Sequence, residues 1–221
     1  HFPRRSRPTI PLSSAPPNPH SSDARAIGCY FAQPVRTGPR FSRAFFARSA
    51  REVAPELIGA ALTHRLPEGP LLQGRLVEVE AYLGDGSDTA SHSHRGPTPR
   101  NRSMFGPPGR LYAYRSYGVH TCVNVVCGAR GQGEAVLFRA LDPLRGRDAM
   151  ETLRGLGRRS PLRQLACGPG RLGQAMGITL DHDGSTLLRG PIGLYTPGRA
   201  SPEPRVVSGP RVGITRAATL P

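Results

Sequence analysis

The sequence predicts an α+β fold, in which a single domain is built on a mainly antiparallel, curved sheet with peripheral helices. Its apolar stretches are short and separated by turns rich in Gly and Pro, which favours strands joined by hairpins. The predicted strands follow one another with short turns, and the helices lie outside this run of strands. A parallel sheet, in which strands and helices alternate, is therefore disfavoured. The length of 221 residues suits one domain with its own core, and no internal repeat is visible.

The predicted domain covers residues 46–221, and its first element is a short helix. Ser49 and Glu52 have the spacing of a capping box, and Gly59 ends the helix. Strands are predicted over residues 61–66, 72–83, 111–117, 119–127 and 134–141, and shorter strand-like pieces over residues 187–189, 192–195 and 205–207. Two further helices are predicted over residues 145–156 and 171–176.

Residues 1–45 are predicted to be a disordered basic segment that precedes the domain. They are rich in Pro, Ser and Arg, carry one acidic residue, Asp23, and lack the sustained apolar period of a packed element. A segment that is rich in Arg and Ser and poor in acids also resembles an organellar transit peptide. We therefore expect the protein in the cytoplasm or nucleoid, or in an organelle or the nucleus if this segment is a targeting peptide.

The net charge is strongly positive and is supplied by arginine alone. The sequence has 30 Lys+Arg against 15 Asp+Glu, a formal charge of +15, and it contains no lysine. Such an excess favours a polyanionic partner, most often nucleic acid, and arginine favours bidentate contact with phosphate. A genome biased towards Arg, Ala, Gly and Pro codons would produce a similar composition, so charge alone does not decide the function.

Composition argues against several other classes of protein. No apolar run approaches the length of a membrane-spanning helix, so no membrane association is predicted. The four cysteines form neither a CxxC pair nor a dense framework, which argues against a zinc ribbon and a disulfide-rich secreted module. His92 and His94 have no neighbouring Cys or acidic cluster to complete a metal site, so no metal is predicted.

The predicted strand over residues 72–83 carries polar groups on one face. A period of two places Glu78, Glu80 and Tyr82 together and the intervening apolar residues on the opposite face. Those apolar residues are Val77, Val79 and Ala81. A solvated sheet surface is the ordinary interpretation of such a pattern, but two acids beside a tyrosine are also a candidate catalytic group.

Tyrosines cluster in the same part of the chain. Four of the six lie between Tyr82 and Tyr117, in a sequence with only 6% aromatic residues. Tyr112 and Tyr114 share one face of a predicted strand, and Tyr117 follows in the turn. Tyrosine rings suit stacking on a nucleobase, although a tyrosine pair at the edge of a core is the more common arrangement.

Two polar residues interrupt apolar strands and need partners. The amide of Asn124 must be hydrogen-bonded, or its burial costs free energy. Arg139 requires a carboxylate or a phosphate, and Glu78 or Glu80 is the obvious mate within the chain. The loop over residues 92–102 is basic and polar, which suits contact with phosphate.

Six stretches then lie in order along the chain: VEVEAYLG (77–84), TPRN (98–101) with Met104-Phe105, LYAYRSYGVHTCVN (111–124), LFRALDPL (137–144), CGPGRL (167–172) and GPRVG (209–213). Together they resemble the 3-methyladenine (alkyladenine) DNA glycosylase family, from about Phe46 onwards. The resemblance implies an enzyme that flips alkylated or deaminated purines out of duplex DNA and hydrolyses the N-glycosidic bond, leaving an abasic site. It further implies no cofactor and double-stranded DNA with a damaged purine as partner. An enzyme that acts on one flipped base needs no partner subunit, so a monomer is expected.

The same resemblance implies catalytic and pocket roles for individual residues. Glu80 resembles the general base that activates water, and Arg139 the partner that helps hold that water. Tyr82, His92 and Tyr114 resemble the walls of the pocket for the flipped base.

Other residues are similar to those that meet the DNA itself. Asn124 resembles the gate against the 2-amino group of guanine, and Tyr117 the wedge that fills the gap left by the flipped nucleotide. Val119 is small where the family often has a bulky apolar residue beside the wedge. Arg100 and Arg102, in the basic loop, are the predicted contacts to the DNA backbone.

Residue chemistry is consistent with these roles and leaves two alternatives open. A carboxylate near C1′ can stabilise an oxocarbenium-like sugar and accept a proton from water. A Schiff-base lyase usually needs a lysine, so a monofunctional glycosylase is expected. A non-catalytic basic nucleic-acid-binding protein would explain the charge but not the two acids. A sugar hydrolase could use Glu78 and Glu80 but would have no need of the arginines.

Overall fold

Seven strands form one sheet in which every neighbouring pair is antiparallel. The computed structural model describes residues 37–198 and 204–211. In chain order the strands are β1 (Thr37–Arg40), β2 (Ala61–Arg65), β3 (Leu71–Tyr82), β4 (Leu111–Ser116), β5 (His120–Cys127), β6 (Glu134–Arg145) and β7 (Ile192–Pro197). Their order across the sheet is β1-β7-β2-β3-β6-β5-β4. The predicted antiparallel α+β architecture is confirmed.

Five short helices accompany the sheet: α1 (Arg43–Phe46), α2 (Ala50–Leu57), α3 (Arg147–Leu153), α4 (Leu162–Ala166) and α5 (Pro169–Ala175). Two 3-10 turns lie at Arg102–Phe105 and Leu180–His182. Within the described ranges, none of the helices has both the length and the apolar character needed to span a bilayer.

The helices cover one face of the sheet and leave the other for polar chemistry. Each helix contributes buried residues to one cluster: Phe46 from α1, Val53 and Leu57 from α2, Met150 from α3, Leu165 from α4 and Leu172 from α5. This cluster includes inward-facing strand residues such as Leu72, Val123 and Phe138. A smaller cluster of Met104, Tyr112, Val126 and Ala135 lies apart from it. Because side chains alternate along a strand, the second cluster belongs to the opposite face, which we call the outer face.

Helix α2 begins at a capping box, as predicted. The Ser49 hydroxyl accepts a hydrogen bond from the Arg51 N–H, and the Glu52 carboxylate accepts one from the Ser49 N–H at 3.2 Å. Glu134, at the start of β6, accepts from the Ser49 hydroxyl (3.0 Å) and from the Ala50 N–H (2.7 Å). The cap therefore also fixes the beginning of α2 to the sheet.

Strand β3 contains a β-bulge that overturns one prediction. Its register against β6 shifts between Leu76 and Val79, so the alternation of faces is interrupted there. Leu76 is fully buried in the core and Val79 packs against it, whereas Val77 is 50% exposed. The prediction that Val77 shares the apolar face was wrong, because the extra residue of the bulge turns it away from the core.

The predicted disordered segment differs from the structure at its end. Residues 37–45 are ordered, since β1 pairs with β7 and Ser42 caps α1 by accepting from the Phe45 N–H at 3.2 Å. Phe41 is buried between these elements with 8% of its surface exposed. The rest of the predicted segment, residues 1–36, lies outside the described residues.

Smaller differences occur in the second half of the chain. β6 continues to Arg145 because β3 pairs with it as far as Gln73. Helix α4 was not predicted. Residues 187–189 and 205–207 are not strands, although Leu187 is buried against the core. An apolar residue can be buried in a loop as well as in a strand, and a short apolar pattern does not distinguish a loop from a strand.

Replacing Ser49 with Ala is expected to lower the free energy of unfolding by about 1–2 kcal/mol, because the cap and the bond to Glu134 are both lost. Urea denaturation measures this loss. The control is Ser87→Ala in an exposed loop, where the change should stay within about 0.5 kcal/mol. Equal losses for the two variants would show that the cap contributes nothing special.

Candidate active site

A row of side chains crosses the outer face of four adjacent strands. Tyr112 on β4 is paired with Asn124 on β5, Asn124 with Leu137 on β6, and Leu137 with Glu80 on β3. Residues paired across an antiparallel sheet point to the same face. The fold therefore brings together predicted site residues that are 44 positions apart in the sequence.

Glu80 is the centre of a polar network. Its side chain is 5% exposed, and its Oε2 lies 2.9 Å from Arg139 Nη1. The Tyr82 hydroxyl donates a hydrogen bond to its Oε1. Arg139 Nε also donates to Glu78 Oε1 at 2.7 Å. Both carboxylates thus bind Arg139, as the sequence indicated, and the buried charge of Glu80 is compensated on both oxygens.

The electrostatics of Arg139 and Tyr82 follow from this network. Burial alone would lower the pKa of Arg139, but the hydrogen bond to Glu78 and the charge of Glu80 raise it above its ordinary value. Burial raises the pKa of Tyr82, and the hydrogen bond to Glu80 raises it further. Arg139 is therefore a permanent cation and Tyr82 a neutral donor at physiological pH.

An aromatic cavity of about 300 Å³ lies beside this network. Its lining includes six of the predicted site residues, which are Tyr82, His92, Arg100, Tyr114, Tyr117 and Asn124. The four other lining residues were given no role, and they are Ala90, Met104, Tyr112 and Ser116. Glu80 does not line this cavity. It lines a second cavity of about 290 Å³, together with Glu78, Arg139 and residues 206–211. The hydrogen bond from Tyr82 to Glu80 connects a residue that lines the first cavity with one that lines the second.

Aromatic rings form the walls of the first cavity. The Tyr112 and Tyr114 rings stack with centroids 5.4 Å apart, and the His92 ring meets Tyr114 edge-on at 4.5 Å. His92 Nδ1 lies 2.8 Å from the Tyr112 hydroxyl. Burial raises the pKa of Tyr112 and of Tyr114, so both rings stay neutral at physiological pH.

His92 is poised to be neutral. Desolvation of its ring against the tyrosines lowers its pKa, and the positive charge of Arg100 lowers it further. The loop that carries it is held by Asn101, whose Nδ2 donates to the backbone oxygens of His92 (2.8 Å) and Gly96 (3.1 Å). Asn101 was not assigned a role from the sequence, although an asparagine after Thr98-Pro99-Arg100 is a signal for such side-chain bonds to the backbone.

Asn124 and Tyr117 occupy opposite environments at the cavity. Asn124 is 3% exposed, and its Nδ2 donates to the Tyr112 carbonyl at 3.0 Å, which supplies the partner that burial requires. Tyr117 stands at the tip of the β4–β5 hairpin with 93% of its surface exposed and a positive φ of 49°. A left-handed conformation is unfavourable for tyrosine and is imposed here by the tight hairpin. Val119 beside it is 72% exposed.

The two predicted backbone arginines are both exposed. Arg100 lines the aromatic cavity and donates to the Arg115 carbonyl at 2.7 Å, which fixes it beside the hairpin. Arg102 lies in the 3-10 turn after it. In the parts of the chain that are described, no three His, Cys, Asp or Glu side chains lie together as metal ligands would.

A buried ion pair behind Tyr82 was not found from the sequence. Arg211 donates to both carboxylate oxygens of Asp88, at 2.7 and 2.5 Å, and to the Ala81 carbonyl at 2.6 Å. Its guanidinium lies 4.5 Å from the centre of the Tyr82 ring. Asp88 and Arg211 are 123 residues apart, and no local pattern connects them, although each is a charged residue within a Gly- and Ser-rich stretch.

Asp88 remains ionised in this buried position. Burial alone would raise its pKa, but the bonds from Arg211 and from the N–H groups of Leu83 and Ala90 outweigh burial and lower the pKa. Its contribution to stability is therefore present above the ordinary carboxyl pKa and is lost as the pH falls through the lowered pKa.

Arg211→Met is expected to lower the free energy of unfolding by about 3–5 kcal/mol, because the buried Asp88 carboxylate loses its partner. Urea denaturation at neutral pH measures this. Arg75→Met is the matched control: its partner Asp142 is partly exposed, so the loss should not exceed about 1 kcal/mol. Similar losses in both variants would contradict a special role for the buried pair.

The imidazole of His92 is expected to titrate below its ordinary pKa of 6.5, because the charged ring is desolvated and faces Arg100. NMR of histidine-labelled protein measures the midpoint. Arg100→Gln should raise it, whereas Arg102→Gln, a neighbouring exposed arginine, should leave it unchanged. A midpoint at or above 6.5 in the wild type would refute the neutral assignment.

Comparison with known proteins agrees with this arrangement. Residues 44–221 match the sequence model of the methylpurine-DNA glycosylase (MPG) family. Proteins provisionally named 3-methyladenine DNA glycosylase are similar over most of their length. One from Rhodopseudomonas palustris (strain BisB5) is 52% identical over 190 residues, 86% of this chain and 88% of that protein. One from Methanoculleus marisnigri is 52% identical over 181 residues, 80% of this chain and 90% of that protein.

The match covers every strand from β2 to β7 and every residue of the polar network and the aromatic cavity. The chain therefore belongs to the methylpurine-DNA glycosylase family, and it is a DNA glycosylase of base excision repair.

Proposed function

We propose that the protein flips alkylated or deaminated purines, of the 3-methyladenine, 7-methylguanine, hypoxanthine and ethenoadenine type, out of duplex DNA and hydrolyses their N-glycosidic bond. Water activated by Glu80 is the nucleophile, and the product is an abasic site. The observation that carries this proposal is the buried Glu80 carboxylate, which is held by Arg139 and by Tyr82, and the Tyr82 ring lines an aromatic cavity that can hold a flipped base.

The polar network suits the chemistry of glycosidic cleavage. Departure of the purine leaves an oxocarbenium-like sugar, which a nearby carboxylate stabilises. A carboxylate offers about four lone-pair positions, so Glu80 can bind Tyr82 and Arg139 and still accept a proton from water. Arg139 fixes the orientation of Glu80 and gives that water a second polar neighbour. The second cavity, which Glu80, Glu78 and Arg139 line, has room for the attacking water next to Glu80.

The aromatic cavity suits a cationic purine. Alkylation at N3 or N7 makes the base both a cation and a better leaving group. Tyr82, Tyr112 and Tyr114 present neutral rings to it, which favours a cation through its attraction to the π-faces. A neutral His92 avoids the repulsion that an imidazolium would add.

Two further residues that line the aromatic cavity select the damaged base and support its flipped position. Asn124 is fixed by its bond to the Tyr112 carbonyl, so its amide can oppose the 2-amino group of guanine without moving aside. Tyr117 projects from the hairpin, where it can occupy the space vacated by the flipped nucleotide. Flipping costs a few kcal/mol, and less for weakly paired bases, so damaged bases are favoured before the cavity tests them.

Strand cleavage is not part of the proposed reaction. A lyase that forms a Schiff base usually uses a lysine amine, and the sequence contains none. The abasic product therefore stays intact, and one active site in one subunit is sufficient for the reaction.

Glu80→Gln is expected to slow base release by about 100-fold or more, because the amide cannot accept the proton from water. Single-turnover release from duplexes with hypoxanthine, ethenoadenine or a stable mimic of 3-methyladenine measures the rate, with alkali to reveal abasic sites. DNA affinity should be largely retained, since Glu80 is buried away from phosphate.

Glu56→Gln is the matched control, because this exposed glutamate lies on α2 in a surface ion pair with Arg48. Its rate should equal that of the wild type. Undiminished release by Glu80→Gln would exclude the proposed base. Tight DNA binding with no release by the wild type on any of the lesions would favour a non-catalytic binding protein. Strand nicking that survives in Glu80→Gln would disprove the monofunctional reaction.

A further inference from the structure

A second cleft opens at the end of the sheet opposite the aromatic cavity. It has a volume of about 560 Å³ and lies among β1, β2, β3, β6 and β7. Three of its lining residues are charged, and all three are arginines: Arg40, Arg65 and Arg145. The other polar groups are neutral, and no carboxylate lines the cleft. We call it the arginine cleft.

The charges of the arginine cleft are not compensated. Within residues 37–198 and 204–211, none of the three arginines forms an ion pair. Arg65 and Arg145 are exposed. Of the acids near them in the chain, Asp142 is bound to Arg75 at 2.6 Å, and Glu68 is exposed in the β2–β3 turn.

Arg40 is held in a fixed position in this cleft. Its guanidinium donates to the Tyr195 hydroxyl at 2.8 Å and to the Gly190 carbonyl at 2.7 Å. It lies close to Gly193, where an added Cβ would come within 2.9 Å of it. These partners are neutral, so the side chain is ordered while its positive charge is left for an anion.

The arginine cleft and Glu80 lie on the same face of β3. Gln73 lines the cleft and is paired with Arg145, so both point to the outer face. Because Leu72 and Leu76 are in the core, odd-numbered residues of β3 face outward before the bulge. The extra residue of the bulge reverses the alternation, so even-numbered residues face outward after it. Without the bulge, a strict period of two would place the cleft and the catalytic glutamate on opposite faces.

Along β3, the separation of the two sites is of the order of one repeat of DNA. Leu71 lines the arginine cleft and Tyr82 lines the aromatic cavity, at the two ends of β3. Eleven residues at about 3.3 Å each span about 36 Å in a straight strand, and the bulge and sheet curvature shorten this. One turn of B-DNA is about 34–36 Å, or about 10 base pairs.

We propose that the arginine cleft binds the phosphate backbone of the duplex about one helical turn from the flipped base. The proposal rests on the proposed function, which places damaged DNA at the aromatic cavity. Arginines without carboxylate partners, on the same face as the catalytic residues, provide the bidentate donors and the counterion release that phosphate contacts require.

Arg65→Ser/Arg145→Ser tests the cleft, because both side chains are exposed and unpaired and neither touches the active site. Fluorescence anisotropy would compare duplexes with about 15 base pairs on each side of the lesion with duplexes that have about 5. The variant should lose about 10-fold or more in affinity for the long duplex and little for the short one. For the long duplex, the slope of log affinity against log salt concentration should be less steep by about 2 in the variant than in the wild type.

Arg163→Ser/Arg158→Ser is the charge-matched control, since these exposed arginines lie on or beside the helical layer. A loss as large in this control would attribute the effect to net charge and overturn the proposal. An equal loss on long and short duplexes would also overturn it, because the cleft would then not be a distant contact.

Neutral methylphosphonate linkages provide a second readout that needs no protein variant. Placed about 10 base pairs from the lesion, they should weaken binding by the wild type and have no further effect on Arg65→Ser/Arg145→Ser. Linkages at that distance without effect on the wild type would refute the site. Base release from the short duplex should be as fast in the variant as in the wild type, so failure of the proposed function appears separately, as a wild type that releases no base.

Discussion

The buried carboxylate of Glu80 is the constraint around which the outer face is organised. An ionised group that is nearly inaccessible to water must be paired and hydrogen-bonded, or its burial costs several kcal/mol. Arg139 and Tyr82 satisfy this requirement directly. Tyr82 in turn is packed against Arg211, whose own charge is compensated by Asp88. A continuous set of contacts thus connects Glu80 in the sheet with Arg211 near the end of the described residues. These contacts hold the polar groups in fixed positions beside the aromatic cavity.

The bulge in β3 is the second determinant, because it fixes which residues share a face. Before it, Gln73 and Arg75 point outward; after it, Glu78 and Glu80 do so. A single extra residue therefore joins an arginine-rich end of the sheet to a catalytic end on one continuous surface. The helices fill the other face with apolar contacts, which leaves the outer face free for ligand binding.

Local pattern predicted much of this architecture. The capping box at Ser49, the hairpins and the alternation in β4 and β5 each depend on contacts within a few residues, so the sequence specifies them directly. The ionic partners of Arg139 were also predictable, because a guanidinium in an apolar strand requires an acid and only Glu78 and Glu80 were near in the pattern. The bulge at Val77 was not, since its origin is the pairing of β3 with β6 rather than any local residue preference.

The sequence by itself determined the fold class, the family motifs and the residue types that carry charge and aromatic stacking, because these follow from composition, periodicity and order along the chain. Only the tertiary structure decided that Asp88 and Arg211 form the pair behind Tyr82, that Glu80 lies between two cavities, and that the arginine cleft shares its face. Each of these depends on contacts between residues far apart in sequence or on strand register, and neither quantity is encoded in a local pattern.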